Sequence, residues 1–377
     1  MITHNTDNLT SPKAIIEYAR ETSLLNLAES HSYVKCNSKL EQILLNKVLP
    51  NANYPSPRFG LMDLRASISA KTSKLYDHRY DPETEVTITS GVKQSIFAAI
   101  MAFLKEGDEV LVFEPTHRSY EQAIETTGAR PVTVTLRPPD FHVEWEEVQK
   151  LISTTTRMII INSPHFPTGS TMSELDMIRL QKILNGTNIV VIADESFEHI
   201  VFDGEMHQSI ALYPLLRERS IIVSSFNETL NIPNWHIGYC MASAKLTNEL
   251  RKIIDIVGEG INLPYQMAIA EYINQQSSFN QLAAFYQKKR DLFLSIIEDS
   301  KIKAIPSKGT YFQLISFETP IDKSDVDMAY KLIREQDIAT VPISFYYREK
   351  SKKKFLQINL SLSDEQIIDA ANRLKSI

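Results

Sequence analysis

Residues 86–95 form the first group that could do chemistry. They read Val-Thr-Ile-Thr-Ser-Gly-Val-Lys-Gln-Ser, which predicts a strand, a turn at Gly91 and a helix that begins beside Val92 and Lys93. The first turn of a helix has free backbone N–H groups and the positive end of the helix dipole, so it favours an anion such as phosphate. The alternative is a simple tight turn, which needs no ligand.

Two adjacent carboxylates end another predicted strand. Asp194 and Glu195 directly follow the apolar run at residues 189–193. Polar residues at the carboxyl end of a parallel strand lie where doubly wound proteins bind ligands. Aspartate also caps helix N-termini, so the residue type leaves both ligand binding and helix capping open for Asp194.

Four histidines flank predicted strand ends, but their spacing does not predict a metal site. His117, His165, His199 and His236 include no pair at the i, i+4 spacing that places two ligands on one helix face. The sequence also lacks the G-x-S-x-G, P-loop and G-x-G-x-x-G motifs. We therefore expect no metal, and the residue types alone do not define a reaction.

The elements that must position these residues follow an alternating pattern. Helical periodicity at residues 95–104 and 174–184 separates short Val- and Ile-rich runs, which predict strands buried on both faces. This alternation predicts an α/β fold with a large, doubly wound, mostly parallel sheet. The predicted strands are residues 86–89, 109–113, 131–136, 158–162, 189–193, 221–224 and 237–241.

The pattern changes after about residue 275, which predicts a smaller α+β domain. A long helix at residues 279–297 precedes strands at 309–315 and 355–360, and the capping box at 363–366 begins a last helix that runs to Leu374. We predict an N-terminal arm at residues 1–45, a large domain at 46–278 and a small domain at 279–377. The arm has little core-forming pattern, so we expect it to pack on the small domain or on a partner subunit.

Composition limits the partners of the chain. A net charge of −6 over 377 residues disfavours nucleic acid and anionic membranes, and no run of about 18 apolar residues predicts a membrane span. Two cysteines are too few for a disulfide framework, and no signal peptide pattern precedes residue 12. We expect a cytoplasmic protein that binds a small molecule.

Six segments together resemble the class I/II aminotransferases of fold type I, in particular the kynurenine and methionine aminotransferase branch. They lie at residues 80–85, 107–115, 162–169, 193–204, 224–229 and 235–242, and include Asn-Ser-Pro-His-Phe-Pro-Thr-Gly and Asp-Glu-Ser-Phe. The resemblance implies a seven-stranded large domain, pyridoxal phosphate as cofactor, and a homodimer with sites at its interface. It covers most of the chain, in the family's order and spacing.

The same resemblance shows departures at five positions of the family site. Glu228 takes the place of the lysine that forms the Schiff base, and a carboxylate cannot form an imine. Phe166 and Phe197 replace the Asn and Tyr that bind the phenolic oxygen of the cofactor. His236 replaces a phosphate-binding cation, and Gln357 replaces the arginine that binds the substrate carboxylate.

Other positions of the family site are kept or gained. The resemblance places Asp194 at the pyridine nitrogen, His117 as the stacking ring and Tyr54 as the tyrosine that reaches the phosphate from the neighbouring subunit. The positions it assigns to the phosphate are Gly91, Val92, Lys93 and Ser225.

Three hypotheses follow from this combination. In the first, the chain is a repurposed enzyme in which Glu228 is a general acid or base, assisted by His117, Asp194 or Lys93. A carboxyl that faces Phe166 and Phe197 has a raised pKa, which suits this role. In the second, the chain is a non-catalytic homologue in which Glu228 forms an ion pair with Lys93 or His236. In the third, behind these two, it holds pyridoxal or pyridoxamine phosphate non-covalently.

Overall fold

The computed structural model describes residue 6 and residues 8–51, 53–275, 279–317, 324–349 and 354–377. Within these ranges helices and strands alternate through most of the chain. The helices are α1 Pro12–Glu21, α2 Ser38–Asn51, α3 Met62–Tyr76, α4 Gly91–Phe103, α5 Ser119–Glu125, α6 Trp145–Leu151, α7 Glu174–Leu184, α8 Pro214–Arg217, α9 Phe226–Leu230, α10 Ala244–Val257, α11 Leu263–Asn274, α12 Asn280–Ile297, α13 Asp325–Gln336 and α14 Asp364–Lys375. The strands are β1 Leu25–Asn26, β2 Val86–Ser90, β3 Glu109–Glu114, β4 Arg130–Thr135, β5 Thr156–Asn162, β6 Val190–Asp194, β7 Ser220–Ser225, β8 Ile237–Ala242, β9 Ile302–Ile305, β10 Phe312–Phe317, β11 Ile338–Ala339, β12 Val341–Pro342 and β13 Phe355–Asn359.

A seven-stranded sheet organises the large domain. Its strand order is β2-β8-β7-β6-β5-β3-β4, and all pairs are parallel except those that β8 makes with β2 and β7. Every residue of β7 and β8 is buried, as expected for Val- and Ile-rich strands covered by helices on both faces. All seven predicted strands are therefore confirmed, with ends that differ by one or two residues.

The C-terminal region forms the predicted smaller α+β unit around a second sheet. Its order is β12-β13-β10-β9, all antiparallel, and α12, α13 and α14 bury Phe293, Leu332 and Ile367 against it. The capping box at Ser363 and Gln366 begins α14 as predicted. The strand predicted at residues 309–315 begins later, at Phe312, because Thr310 has a φ of +67° that breaks the extended backbone.

The N-terminal segment joins the small domain through a two-stranded sheet. Strand β1 pairs in parallel with β11, so that Leu25 lies beside Ile338. Ile15, Leu27 and Leu40 of this segment are fully buried. Apolar residues there are too irregularly spaced to show this in the sequence, and their burial comes from contacts with distant elements.

Candidate functional site

A cavity of about 360 Å³ lies at the carboxyl ends of the strands of the large sheet. Ten of the twelve positions assigned to the site from the sequence line it: Gly91, Val92, Lys93, His117, Phe166, Asp194, Phe197, Ser225, Glu228 and His236. The exceptions are Gln357 and Tyr54, and Tyr54 lies just after α2 with 67% of its surface exposed. These ten residues come from six separate segments, which the fold brings to one cavity.

The start of α4 forms one wall of the cavity. Gly91 has a φ of +72°, which favours glycine, and it turns the chain from β2 directly into the helix. Strand β8 approaches this turn so closely that a Cβ atom on Gly238 would lie 2.6 Å from the carbonyl carbon of Gly91. The free N–H groups at this helix start and the exposed Lys93 make this wall electropositive.

Ser225 and His236 extend this wall from the neighbouring strands. Ser225 is the N-cap of the short helix α9, and its Oγ accepts a hydrogen bond from the backbone N–H of Asn227 at 2.9 Å. His236 is exposed and has a φ of +51°, which turns the chain into β8. The wall therefore presents a cationic side chain, a hydroxyl and an imidazole to an anionic group.

Asp194 lies at the end of β6, where it is buried and already hydrogen-bonded. The Tyr120 hydroxyl donates to Oδ2, and Oδ1 accepts from the hydroxyl of Ser196 at 2.5 Å and from its backbone N–H at 3.2 Å. Burial raises the pKa of Asp194, although the contacts with Ser196 and Tyr120 oppose that rise. Sequence reasoning missed Tyr120, which lies 74 residues away, whereas Ser196 at i+2 fits a common aspartate turn.

Glu228 lies in the first turn of α9 and faces the cavity. Its Oε2 atom is shielded from solvent and has no hydrogen-bond partner. Burial raises the pKa of Glu228 to about 7, and the charge of Asp194 adds to the rise, while hydrogen bonds from its own backbone N–H and Ser225 and the charge of His31 oppose it. No ion pair joins Glu228 to Lys93 or His236 in the described part of the chain.

Aromatic rings close the side of the cavity nearest the small domain. The ring of Phe166 packs edge-on against Phe312 and Tyr346, at 5.1 Å between centroids in both cases, and Phe197 packs against Phe312 at 6.1 Å. Behind them Gln357 is buried, and its Oε1 accepts a hydrogen bond from the Tyr346 hydroxyl at 2.7 Å. Gln357 is thus engaged elsewhere and does not line the cavity.

His117 is held as a neutral imidazole. Its Nδ1 accepts a hydrogen bond from the backbone N–H of Ser119 at 3.1 Å, so the ring proton lies on Nε2. Burial and the charge of Lys93 lower the pKa of His117 to about 4. The ring lies 6.3 Å from that of Phe166 at a tilt of 44°. His117 can therefore donate a hydrogen bond or lie against a flat ligand, but it is a weak base near neutrality.

One further titratable residue of the cavity lies outside the set predicted for the site. His31, on the N-terminal segment after β1, also lines it, and its Nδ1 lies 3.1 Å from Oε1 of the buried Glu29. No local pattern marks these two residues, because they reach the cavity only through the pairing of the N-terminal segment with the small domain.

The described residues contain neither a group of metal ligands nor a membrane span. No cluster of three or more His, Cys, Asp or Glu side chains there could hold a metal ion. His165 is occupied by a contact with Thr168 Oγ1 at 2.8 Å, and burial lowers its pKa to about 3. No helix in these ranges is long and apolar enough to cross a membrane.

The fold and the site define the class of protein to which this chain belongs. The sequence model of the family described as aminotransferase class I and II matches residues 27–374. The chain belongs to this family and has its fold-type-I architecture. The predicted resemblance is therefore confirmed.

Particular relatives agree with this assignment. The chain is 32% identical to methionine aminotransferase of Escherichia coli over 360 residues, which is 95% of this chain and 93% of that protein. The crystal structure of E. coli YbdL, described as having a methionine aminotransferase function, matches with a TM-score of 0.93 and 31% identity over 100% of both chains. N-Succinyldiaminopimelate aminotransferase of Mycobacterium tuberculosis matches with a TM-score of 0.92, 27% identity and 97% coverage of both chains. Kynurenine–oxoglutarate transaminase of Dictyostelium discoideum is 28% identical over 330 residues, 78% of this chain and 76% of that protein.

Proposed function

We propose that this member of the aminotransferase family binds a small molecule non-covalently and transfers protons to and from it through Glu228, without a Schiff base. The unpartnered Oε2 of Glu228 at the wall of the cavity carries this proposal. A shielded oxygen without a partner is costly in a folded protein, and a ligand that donates a hydrogen bond to it would remove that cost.

The titration of Glu228 suits proton transfer. With a pKa of about 7, comparable amounts of the carboxylate and the carboxylic acid are present near neutrality. The carboxylate can accept a proton from a ligand, and the acid can return it to a different ligand atom. Most surface glutamates lack this property, because they remain fully charged at neutral pH.

The walls of the cavity define how a ligand would lie. Lys93, the start of α4 and His236 favour an anionic group such as a phosphate ester. Phe166, Phe197 and His117 favour a flat, apolar body. The anionic end of the ligand would then anchor it, while the apolar walls exclude water around Glu228 and keep its pKa near neutrality.

Pyridoxal phosphate is the cofactor that family membership implies, and the residues present do not fit its covalent attachment. The carboxyl of Glu228 stands at the position that the resemblance assigns to lysine, and Lys93, the one lysine that lines the cavity in the described chain, stands at the glycine turn. Phe166 and Phe197 give no hydrogen bond where the resemblance expects Asn and Tyr. The proposed proton chemistry therefore uses side chains of this protein alone.

A proton-exchange screen tests the proposal. The protein is incubated in D2O at pH 7 with amino acids, 2-oxo acids, amines and phosphate monoesters, and loss of C–H signals is followed by ¹H NMR. We expect at least one compound to exchange, and Glu228→Gln to slow that exchange by about 10²–10⁴-fold.

Glu114→Gln is the matched control for this screen. Burial also raises the pKa of Glu114 to about 7, but this residue binds the backbone N–H of Arg348 and does not line the cavity. This variant should keep the exchange rate of the wild type. Full retention of every turnover in Glu228→Gln would overturn the proposal.

Non-covalent binding of pyridoxal or pyridoxamine phosphate is the second candidate. The observation that favours it is the retention of Asp194, the Gly91 turn, Lys93 and Ser225 around one cavity. A ligand that binds the native state alone raises the melting temperature, so both compounds should stabilise the protein if this candidate holds. An unchanged melting temperature with both compounds, together with an unchanged absorbance spectrum, would rule it out.

The third candidate, a non-catalytic homologue, loses one of its supports, because the ion pair expected to fill the site is not formed.

We also propose that the chain forms a homodimer, as the exposure of Leu45, Leu49 and Tyr54 suggests. Light scattering should then give twice the chain mass of 43.0 kDa.

The two unpaired cysteines, Cys36 and Cys240, support a cytoplasmic location. We propose that residues 1–45 form an N-terminal arm, residues 46–278 the large domain and residues 279–377 the small domain.

A further inference from the structure

His31 enters the cavity with one ring nitrogen already occupied. Its Nδ1 lies 3.1 Å from Oε1 of Glu29, and the residue lines the same cavity as Glu228. Occupation of Nδ1 leaves Nε2 as the ring atom available to a ligand. A carboxylate that holds one nitrogen of a histidine fixes its tautomer and its orientation, and it stabilises the imidazolium.

Glu29 is itself held as a buried anion. Only 2% of its side chain is exposed, and it accepts hydrogen bonds from the guanidinium of Arg20 and from the backbone N–H of Ser30, at 2.8 and 2.9 Å. Burial alone would raise the pKa of Glu29, but its contacts with His31, Ser30 and Arg20 hold it below the usual value. Glu29 therefore remains a carboxylate at neutral pH.

The backbone of this segment is fastened to the small domain. The amide group of Asn359, at the end of β13, donates to the carbonyl oxygens of Glu29 and His31 at 2.9 and 2.8 Å. The backbone N–H of Asn359 also donates to the carbonyl of Leu27 at 2.8 Å. The His31 ring is thus positioned by fixed backbone as well as by its carboxylate partner, although the segment has no helix or strand of its own.

We propose that His31, oriented by Glu29, is the second proton-transfer group of this cavity and acts in the opposite sense to Glu228. This inference rests on the function proposed above. When the Glu228 carboxylate takes a proton from one ligand atom, the His31 imidazolium gives its Nε2 proton to another ligand atom. The second proton of the ring stays on Nδ1, which faces Glu29. One proton is gained and one is lost, so the net charge of the cavity is unchanged.

The other cavity histidines lack this arrangement. His117 uses Nδ1 as an acceptor for a backbone N–H and stays neutral, and His236 is an exposed side chain. The charged groups around His31 are Glu29 and Arg20 on its own segment and Glu228, Asp194 and Lys93 on the other walls of the cavity.

An NMR titration tests whether His31 and Glu228 act as a pair, without any knowledge of the substrate. Histidines are labelled with ¹³C at Cε1, the His31 signal is assigned from a His31→Asn sample, and its midpoint is compared among variants. Glu29→Gln should move the His31 midpoint to lower pH, because the oriented anion is lost. Glu228→Gln should lower it by a smaller but resolved amount, and Glu114→Gln should leave it unchanged. An identical His31 midpoint in wild type and Glu228→Gln would overturn the proposed pairing of His31 with Glu228.

A pH profile tests the catalytic role in any turnover that Glu228→Gln abolishes. His31→Asn should lower kcat by about 10²–10⁴-fold, leave KM within about threefold and remove the alkaline limb of the profile. Glu29→Gln, as a positioning variant, should keep that limb but move it to lower pH. An unaltered profile in His31→Asn would contradict the role.

The two proposals can fail separately. If Glu228→Gln keeps all turnover while the titrations of His31 and Glu228 remain coupled, the proposed function fails and the pairing stands. If Glu228→Gln abolishes turnover while His31 titrates independently and His31→Asn keeps its rate, the inference about His31 alone fails.

Discussion

Two glutamates that follow neighbouring strands of the large sheet have opposite surroundings. Glu198, four residues after the end of β6, binds the Lys71 amine at 2.5 Å, the Tyr239 hydroxyl at 2.9 Å and the Tyr76 hydroxyl at 2.8 Å. Glu228, three residues after β7, leaves one carboxyl oxygen without any partner. Burial tends to raise the pKa of both residues. In Glu198 the Lys71 charge reverses this effect and the pKa falls, whereas the pKa of Glu228 rises to about 7.

This contrast separates a structural carboxylate from one that is available for chemistry. Glu198 is buried, and Glu228 is partly buried with its Oε2 atom shielded from solvent, so shielding of the carboxyl oxygen alone does not distinguish them. What differs is the set of partners on each oxygen. A buried carboxylate destabilises the fold when its partners are removed, whereas an oxygen that has no partner can gain a hydrogen bond from a ligand. Four changes test this distinction.

The largest effect is expected from removal of the partner of Glu198. Lys71→Met should lower the free energy of unfolding by about 3–5 kcal/mol, because it leaves a buried carboxylate without its counter-charge. Urea denaturation at pH 7 measures this loss. Lys252→Met, which removes an exposed pair with Glu249, should change stability by no more than about 0.5 kcal/mol. A loss below about 1 kcal/mol in Lys71→Met would mean that Glu198 is not the structural carboxylate.

The second effect is a pH dependence of the free energy of unfolding that Glu228 causes. Its folded pKa of about 7 lies above its usual value of 4.5, so the unfolded chain releases the proton first and stability falls as pH rises through this interval. Glu228→Gln should lack that fall and gain up to about 3 kcal/mol over wild type between pH 4.5 and pH 8.

Urea unfolding of both proteins at several pH values checks this gain. Glu249→Gln, at an exposed position, supplies the baseline for loss of a surface charge. A constant difference between Glu228→Gln and wild type would show that Glu228 titrates normally. Glu198 has the opposite sign, because its lowered pKa yields a stability that is lost only as pH falls.

The third effect compares two buried tyrosines. Tyr76→Phe should cost about 2 kcal/mol, because Oε2 of Glu198 loses the hydroxyl that satisfies it. Tyr80→Phe is its control, since the Tyr80 hydroxyl is buried and has no partner. That variant should be neutral within about 0.5 kcal/mol or slightly stabilising. Thermal unfolding of the two variants side by side gives the comparison, and equal losses would refute it.

The smallest effect concerns the cationic wall of the cavity. Lys93→Met should leave stability within about 0.5 kcal/mol of wild type, because the side chain is exposed. It should nevertheless raise the pKa of His117 from about 4 by a few tenths of a unit, since the Lys93 charge contributes to lowering it. NMR titration of His117 measures this, with Lys105→Met as an exposed control. If Lys93→Met leaves the His117 titration unchanged, the Lys93 amine and the His117 imidazole do not interact across the cavity.

The sequence allowed the large sheet and about half of the residues that line the cavity to be predicted, and physical reasons explain the rest. Val- and Ile-rich runs mark buried strands locally, and Gly91 marks the turn that opens the site. In contrast, β9 and β12 have only four and two residues, too few to show a period. The Tyr120 contact with Asp194 and the Asn359 contacts with the segment of His31 depend on pairs 74 and 328 or more residues apart. Such pairs leave no trace in one sequence.

The hydrogen bond between Tyr346 and Gln357 limits which side chains position 357 can accept. Gln357 is 1% exposed and lies behind the Phe166 and Phe312 rings. An arginine there would place a guanidinium against Tyr346 and those rings, where an unpaired charge is strongly disfavoured. A carboxylate-binding arginine at this position would therefore require the aromatic wall to change as well.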